Sequence, residues 1–469
     1  MSEPDERTDS LPPARQLVSS AVRAVLGRVG AAADTVDSLE RVPPAGTEDG
    51  GVGIAASAWA LARTAGVLAS APVSAPTLAV AARRTAALSR ERTAAFGDHL
   101  RAVMAGAPSP LPARSTKRID GRQRWLITSD LHRCIPGRVD WPRRQRTKDL
   151  YARMLGRYAD RGWGLIENGD VEDFWMVGGT TWGAFYDIAR MAGSVASPLD
   201  RTLEVELLGE QLDRIVDNNA LIYRTIRDRF AAEGRYHRTV GNHDEALADD
   251  EVARRLGAHL PGVEPVDSLV LVDPGVGRDA DSVSDAADVM AVVAHGHLTD
   301  SWNGPGFSAL GRAITWLGLG LEELPTPGAG EGLADEEAVE RLLDGRGRNR
   351  LVSLDPRFGG NRRFDSLDEE LLFAALAADA PADGWPWLLF GHTHYPMLRP
   401  VDEHGEPTLY ANSGTGVLDA AVSAIEWEPS RADPVGLVIW REDGDGLCRY
   451  EMEADGNTLA VARVADIPT

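Results

Sequence analysis

Five short apolar runs, each breaking off into a cluster of Asp, His, Asn and Gly, constrain this chain more than any other feature. They are "RWLITSDLH", "WGLIENGDVEDFW", "RYHRTVGNHDE", "VMAVVAHGHLTD" and "WLLFGHTHYP". Runs of this length, rich in Val, Ile, Leu and Trp, predict buried strands whose C-terminal ends present polar side chains, where α/β folds place their sites. The chain has ten histidines, and six of them (His132, His243, His295, His297, His392 and His394) fall in these clusters beside Asp130, Asp170 and Asn242. A lone His-x-His reads as a polar strand end. Five such clusters in one chain predict a single site assembled from distant segments.

Imidazole and carboxylate together suit Mn, Fe, Zn, Co or Ni better than Ca or Mg. No thiolate lies in the pattern to suggest a structural zinc. The two cysteines, Cys134 and Cys448, cannot make a disulfide framework and fit a reducing, cytoplasmic setting. A formal charge of −22 disfavours a general nucleic-acid binder or a polybasic membrane anchor. The acidic start "MSEPDERTDS" lacks the pattern of a secretory signal. "GVGIAASAWALARTAGVLASAPV" carries Arg63 and is mostly small residues. It therefore predicts a helix packed on protein rather than a membrane span, with peripheral membrane contact as the alternative.

With 469 residues, a large catalytic domain with extra segments is expected. Residues 1–118 are rich in Ala, Arg and Pro and predict a helical or partly disordered appendage. Residues 119–469 hold the clusters, interrupted by insertions at about 174–232 and 300–384 that are long for plain loops and predict lids or caps. "ELLGEQLDRIVDNNALIYRTIRDRF" in the first insertion has helical periodicity. "TLYANSG", "PVGLVIWRE" and "LCRYEMEAD" predict late strands that close a sheet. No internal repeat is visible.

The ordered set D-x-H, G-D-x-x-D, G-N-H-D, a strand-end His and G-H-x-H resembles the calcineurin-like metallophosphoesterase superfamily over about residues 124–416. The resemblance implies an α/β fold of two facing mixed β-sheets flanked by helices, with two divalent transition metal ions, Mn first among them. It implies that Asp130, His132, Asp170 and His394 hold one ion, and that Asp170 as bridge, with Asn242, His295 and His392, holds the other. Because alternate residues of a strand point to opposite sides, His392 and His394 can serve one site only if the chain turns at Gly391 through His394.

The implied reaction is phosphoester hydrolysis by a metal-bridging hydroxide, with His243 stabilising charge or protonating the leaving oxygen and Asp244 orienting His243. Asp173 is expected to brace ligands by hydrogen bonds, and His297 to contact phosphate or lie behind the ligands. Trp175, Trp182, Trp302 and Trp316 predict either the core of a cap or a stacking wall for an apolar substrate. "NGDVEDFW" and "HGHLTDSW" are similar to the bacterial branch that contains UDP-diacylglucosamine pyrophosphatases, although His243 stands where those enzymes carry arginine. The substrate expected is a small phosphoester. A nucleotide-linked pyrophosphatase, a nuclease with the same site, or a silent scaffold of the same fold are the alternatives.

Overall fold

Alternation along each strand shows why this chain forms two layers of sheet. In the strand Trp125–Thr128, Trp125 and Ile127 face one way while Leu126 faces the other, and all three are buried. Leu269 and Leu271 against Val270, and Trp387 and Leu389 against Leu388, behave alike. Strands apolar on both faces must be covered on both faces.

The computed structural model describes residues 95–102, 116–135, 145–175, 201–274, 289–297, 347–348, 385–394, 396–399, 408–417, 421–443, 446–455, 458–464 and 467. Its strands are β1 (Thr116–Asp120), β2 (Trp125–Thr128), β3 (Gly164–Asn168), β4 (Tyr236–Thr239), β5 (Pro265–Val266), β6 (Ser268–Val272), β7 (Val289–Ala294) and β8 (Gly347–Arg348). They continue with β9 (Trp387–Phe390), β10 (Pro396–Leu398), β11 (Tyr410–Ser413), β12 (Ala421–Trp427), β13 (Val435–Asp443), β14 (Gly446–Asp455) and β15 (Thr458–Val464). The helices are α1 (Gln145–Asp160), α2 (Arg201–Asn218), α3 (Ala220–Arg229) and α4 (Asp250–His259).

One sheet has six strands in the order β1-β6-β7-β9-β11-β10, and the other has nine in the order β5-β4-β3-β2-β12-β13-β14-β15-β8. Both are mixed. The run β2, β3, β4 is parallel in the larger sheet, as are β7, β9 and β11 in the smaller. The sheets share one core, in which Ile127, Ile166, Ile425 and Leu437 of the larger meet Leu269, Val293 and Leu389 of the smaller. Fully burying each such side chain contributes about 1.5–3 kcal/mol.

The outer face of the larger sheet carries Leu126, Leu165, Val438 and Trp440 and packs on the helices. α1 presents Leu150, Met154, Leu155 and Tyr158 to it at helical spacing. Leu212 and Val216 of α2 and Ile222 and Ile226 of α3 join the same cluster. The described helices of the first insertion are thus part of the core layer, where the sequence suggested a lid. Residues 176–200, 298–346 and 349–384 lie outside the described residues, with Trp182, Trp302 and Trp316.

The boundary expected at 118 falls within β1, and helical residues 95–102 before it reach the sheet: Phe96 and Leu100 pack on Val292, Phe390 and Tyr410 of the smaller sheet's outer face. Among the described residues no helix is long and apolar enough to cross a membrane. The stretch containing Arg63 lies outside them.

Candidate metal centre

All five clusters follow the C-terminal ends of parallel strands. Asp130 and His132 follow β2, Asp170 follows β3, Asn242 follows β4, His295 follows β7, and His392 and His394 follow β9. The turns are sharp. Among the described residues six non-glycine residues have positive φ, and five of them are Asp130 (52°), His132 (41°), Asp170 (51°), His392 (73°) and His394 (60°). Such conformations cost about 1–3 kcal/mol each and gather where surrounding structure imposes them at functional sites. The left-handed turns at His392 and His394 are the bend that the His-x-His spacing demanded.

Two glycines let the turns close. A Cβ on Gly169, whose φ is 75°, would stand 2.5 Å from the His295 ring, and one on Gly241 would stand 2.1 Å from Asp170 Oδ1. A side chain at Gly169 would push the second and fourth clusters apart, and one at Gly241 would push the third away from the second and fourth.

The ligand-type atoms fall into groups that can hold a metal ion: Asp130, His132 and His394; Asp170, His295 and His392; and His132, Asp170 and His243. In the first group Nε2 of His132 and of His394 are 3.1 Å apart, and His394 Nε2 is 3.3 Å from Asp130 Oδ1. In the second, His295 Nε2 is 3.2 Å from Asp170 Oδ2. Donor atoms about 2.1 Å from a common ion lie roughly 3.0–3.4 Å from one another, so the spacing fits a transition metal. Asp130 Oδ1, Asn242 Oδ1 and His295 Nε2 are buried with no hydrogen-bond partner among the described residues. An unsatisfied buried polar atom costs about 1–3 kcal/mol, and a cation held here would remove that cost.

The other atoms of these residues are occupied in ways that aim the free ones. Asp130 Oδ2 accepts from Ser129 Oγ and, at 2.8 Å, from the His392 backbone N–H, which leaves Oδ1 toward the group. His295 Nδ1 donates to the Asn168 carbonyl at 2.8 Å, and His132 Nδ1 donates to Asp173 Oδ2 at 2.9 Å. In its neutral form each ring therefore presents an Nε2 lone pair.

The carboxylate at His243 is not the neighbour in sequence. His243 Nδ1 donates to Asp173 Oδ2 at 3.0 Å. Asp244 instead accepts from the backbone N–H groups of Gly241 (2.6 Å) and Val171 (3.0 Å) and from Arg238 (2.9 Å). It staples the second cluster to the third. Asp173 thus braces two histidines through one oxygen, while its Oδ1 accepts from the Trp175 backbone N–H at 2.9 Å. The indole of Trp175 stacks on the His243 ring, with centroids 4.1 Å apart at 28°. Trp175 is 3% exposed, so it backs the imidazole rather than offering a face to solvent.

Beneath the site lies a buried ionic layer. Arg238 pairs with both oxygens of Glu172 and with Asp244, while Arg133 pairs with Glu167 and lies over the rings of Tyr151 and Tyr223. Counting the site, six buried carboxylates (Asp130, Asp170, Asp173, Glu167, Glu172 and Asp244) face two guanidiniums. Burial alone would push Asp130 up, but the rings of His394 and His295 outweigh it and hold the carboxyl at about 2. Burial would pull His243 down; the carboxylates of Asp173 and Asp170 outweigh it and leave the imidazole raised. His295 is raised in the same way, against burial, by Asp170 and Asp130. In His132 burial prevails and the ring is lowered.

His297 is buried, its ring centroid 5.4 Å from that of His295, behind the second group. Cys134 is buried, with Sγ donating to the Asp173 carbonyl at 3.8 Å. No protein-family model, curated protein or solved structure matches this chain. The site's own geometry therefore carries the functional argument.

Proposed function

We propose that this chain is a dinuclear-metal-dependent phosphoester hydrolase of the calcineurin-like type. The observation that carries the reading is the convergence of His132 Nε2, His394 Nε2 and Asp130 Oδ1 at the spacing of ligands to one ion, beside a second group built on Asp170. Asp130, His132, Asp170 and His394 would hold one ion, and Asp170, Asn242, His295 and His392 the other, with Mn the first candidate. Six buried carboxylates against two guanidiniums leave an excess of negative charge that two dications would neutralise.

Bound divalent ions supply Lewis acidity toward phosphoryl oxygens and an acidified water near neutral pH. The chain's own residues do the rest. Asp173 fixes the His243 Nδ1 proton, so that His243 Nε2 is the atom offered to a substrate, and the neighbouring carboxylates favour its protonated form. A protonated Nε2 stabilises charge on a phosphoryl oxygen or delivers a proton to the departing one. Trp175 holds the ring from behind. Asp244 acts at one remove, through the backbone of Gly241 and Val171.

His243→Ala, assayed with Mn²⁺ across aryl and alkyl phosphoesters, tests this reading. Metal content should stay near normal while turnover falls about 10²–10⁴-fold. The deficit should grow with the pKa of the leaving group. A flat ratio removes the acid role, and lost metal makes His243 a ligand.

A further inference from the structure

The proposed ligands come in two sets from two sheets. Asp130, His132, Asp170 and Asn242 follow strands of the nine-stranded sheet, whereas His295, His392 and His394 follow strands of the six-stranded one. Among the described residues no strand ladder joins the sheets; at the site they are tied by side chains and by isolated backbone bonds such as Gly416 N–H to the Asp130 carbonyl at 3.2 Å.

Asn168 is the last residue of β3, on the same face as Ile166, which lies in the inter-sheet core. It is completely buried. Its Nδ2 donates to the Ala294 carbonyl at 3.0 Å and, more weakly, to the Leu389 carbonyl at 3.4 Å, at the ends of β7 and β9 in the opposite sheet. Its Oδ1 accepts from Thr239 Oγ1 on β4 at 2.7 Å, and its carbonyl accepts from His295 Nδ1 at 2.8 Å. Only the NH₂ side of the amide can face two carbonyls, so the orientation is fixed by the network. The four strands tied in this way, β3, β4, β7 and β9, are those that lead into Asp170, Asn242, His295 and His392.

We infer that Asn168 is a positioning residue that locks the two sheets in register, and that the second ion position depends on it more than the first does. The reason is the distribution of ligands. The position around Asp130 and His132 draws only His394 from the smaller sheet, while the position around Asp170 and Asn242 draws both His295 and His392. A shift between sheets therefore opens the second while leaving most of the first. This inference rests on the proposed ligand sets.

Asn168→Leu keeps the bulk and removes every side-chain bond. Thr239→Val, a near-isosteric change, removes only the hydroxyl that orients the amide. With the full-length chain and Mn²⁺ alone as probe, equilibrium dialysis and electron paramagnetic resonance read the two ions separately from their coupling. The expected result for Asn168→Leu is one ion bound as in wild type, the other weakened about 10–100-fold, and loss of the coupled-pair spectrum. Thr239→Val should weaken the same ion to a smaller degree, and it decides the matter if Asn168→Leu does not fold. Wild-type binding of both ions in Thr239→Val, or equal loss of both ions in step with a lower melting temperature, overturns the inference. A wild-type chain that binds no Mn²⁺ overturns the ligand sets themselves, and this inference with them.

Discussion

The rings of His132 and His394 approach each other through Nε2 atoms 3.1 Å apart, although 262 positions separate them in sequence. With His132 Nδ1 committed to Asp173, its neutral ring brings a lone pair to that contact, and lone pairs so placed repel unless a proton or a cation lies between them. Adding Mn²⁺ or Zn²⁺ to chelator-treated protein should therefore raise its melting temperature. Ligand at a hundredfold its Kd contributes about 2.7 kcal/mol, which corresponds to roughly 5–10 °C for a domain of moderate size. The rise should shrink in His394→Ala. Calorimetry with and without metal checks both.

Asp173 and Asp244 should separate cleanly. Asp173→Asn disturbs the Nδ1 contacts of both His132 and His243, so it should lower metal affinity and reduce turnover about 10²-fold or more. Asp244→Asn touches neither ring and should act mainly by loosening the staple to Gly241 and Val171, with an earlier melt. Steady-state kinetics of metal-saturated variants, corrected for the folded fraction, distinguish them; equal effects on turnover would contradict the assignment.

That pair also marks how far the sequence could be read. The strand ends were legible because an apolar run followed by Asp, His or Asn is unusual, and the turn at Gly391 through His394 followed from strand alternation. Adjacency in "GNHDE" pointed to Asp244 as the partner of His243, yet the chain turns there, and the partner comes from a loop 70 positions away. β1, "TKRID", is mostly polar at a sheet edge and gave no signal, and "SLVLV" (β6) and "AVSAIEW" (β12) carry no polar cluster to draw the eye. The stacking of Trp175 on His243, and the tie made by Asn168, are tertiary contacts with no local periodicity.

Metal uptake should depend on pH with a definite sign. In the metal-free site Asp170 and Asp130 raise His295 above its ordinary value, against burial, so the ring keeps its second proton to higher pH than a free imidazole and an ion must displace it. Affinity should fall as pH drops below the raised His295 pKa, by up to about tenfold per unit for this one proton, and each loading should release it to buffer. Isothermal titration in buffers of different ionisation heats measures the release. Uptake unchanged between about pH 6 and 8 would contradict it.

Arg238 is enclosed by Glu172 and Asp244, all completely buried. Arg238→Met leaves two carboxylates facing each other without a cation. Breaking a buried pair in this way costs about 3–5 kcal/mol. Denaturant unfolding of the metal-free protein should show that loss, whereas Arg254→Met, at an exposed pair with Glu251, should show little change.

One site, built from both sheets, is proposed to hold two ions and to cleave a phosphoester. Hydrolysis of a nitrophenyl phosphodiester, followed while Mn²⁺ is titrated into metal-free protein, tests it most directly. Little activity is expected with the first equivalent, then a steep rise to a plateau at two, and no rise in Asp170→Asn. Stoichiometric binding of two ions without turnover of mono- or diester would make the chain a silent scaffold of this fold, and turnover that ignores added metal or survives Asp170→Asn would place the chemistry elsewhere.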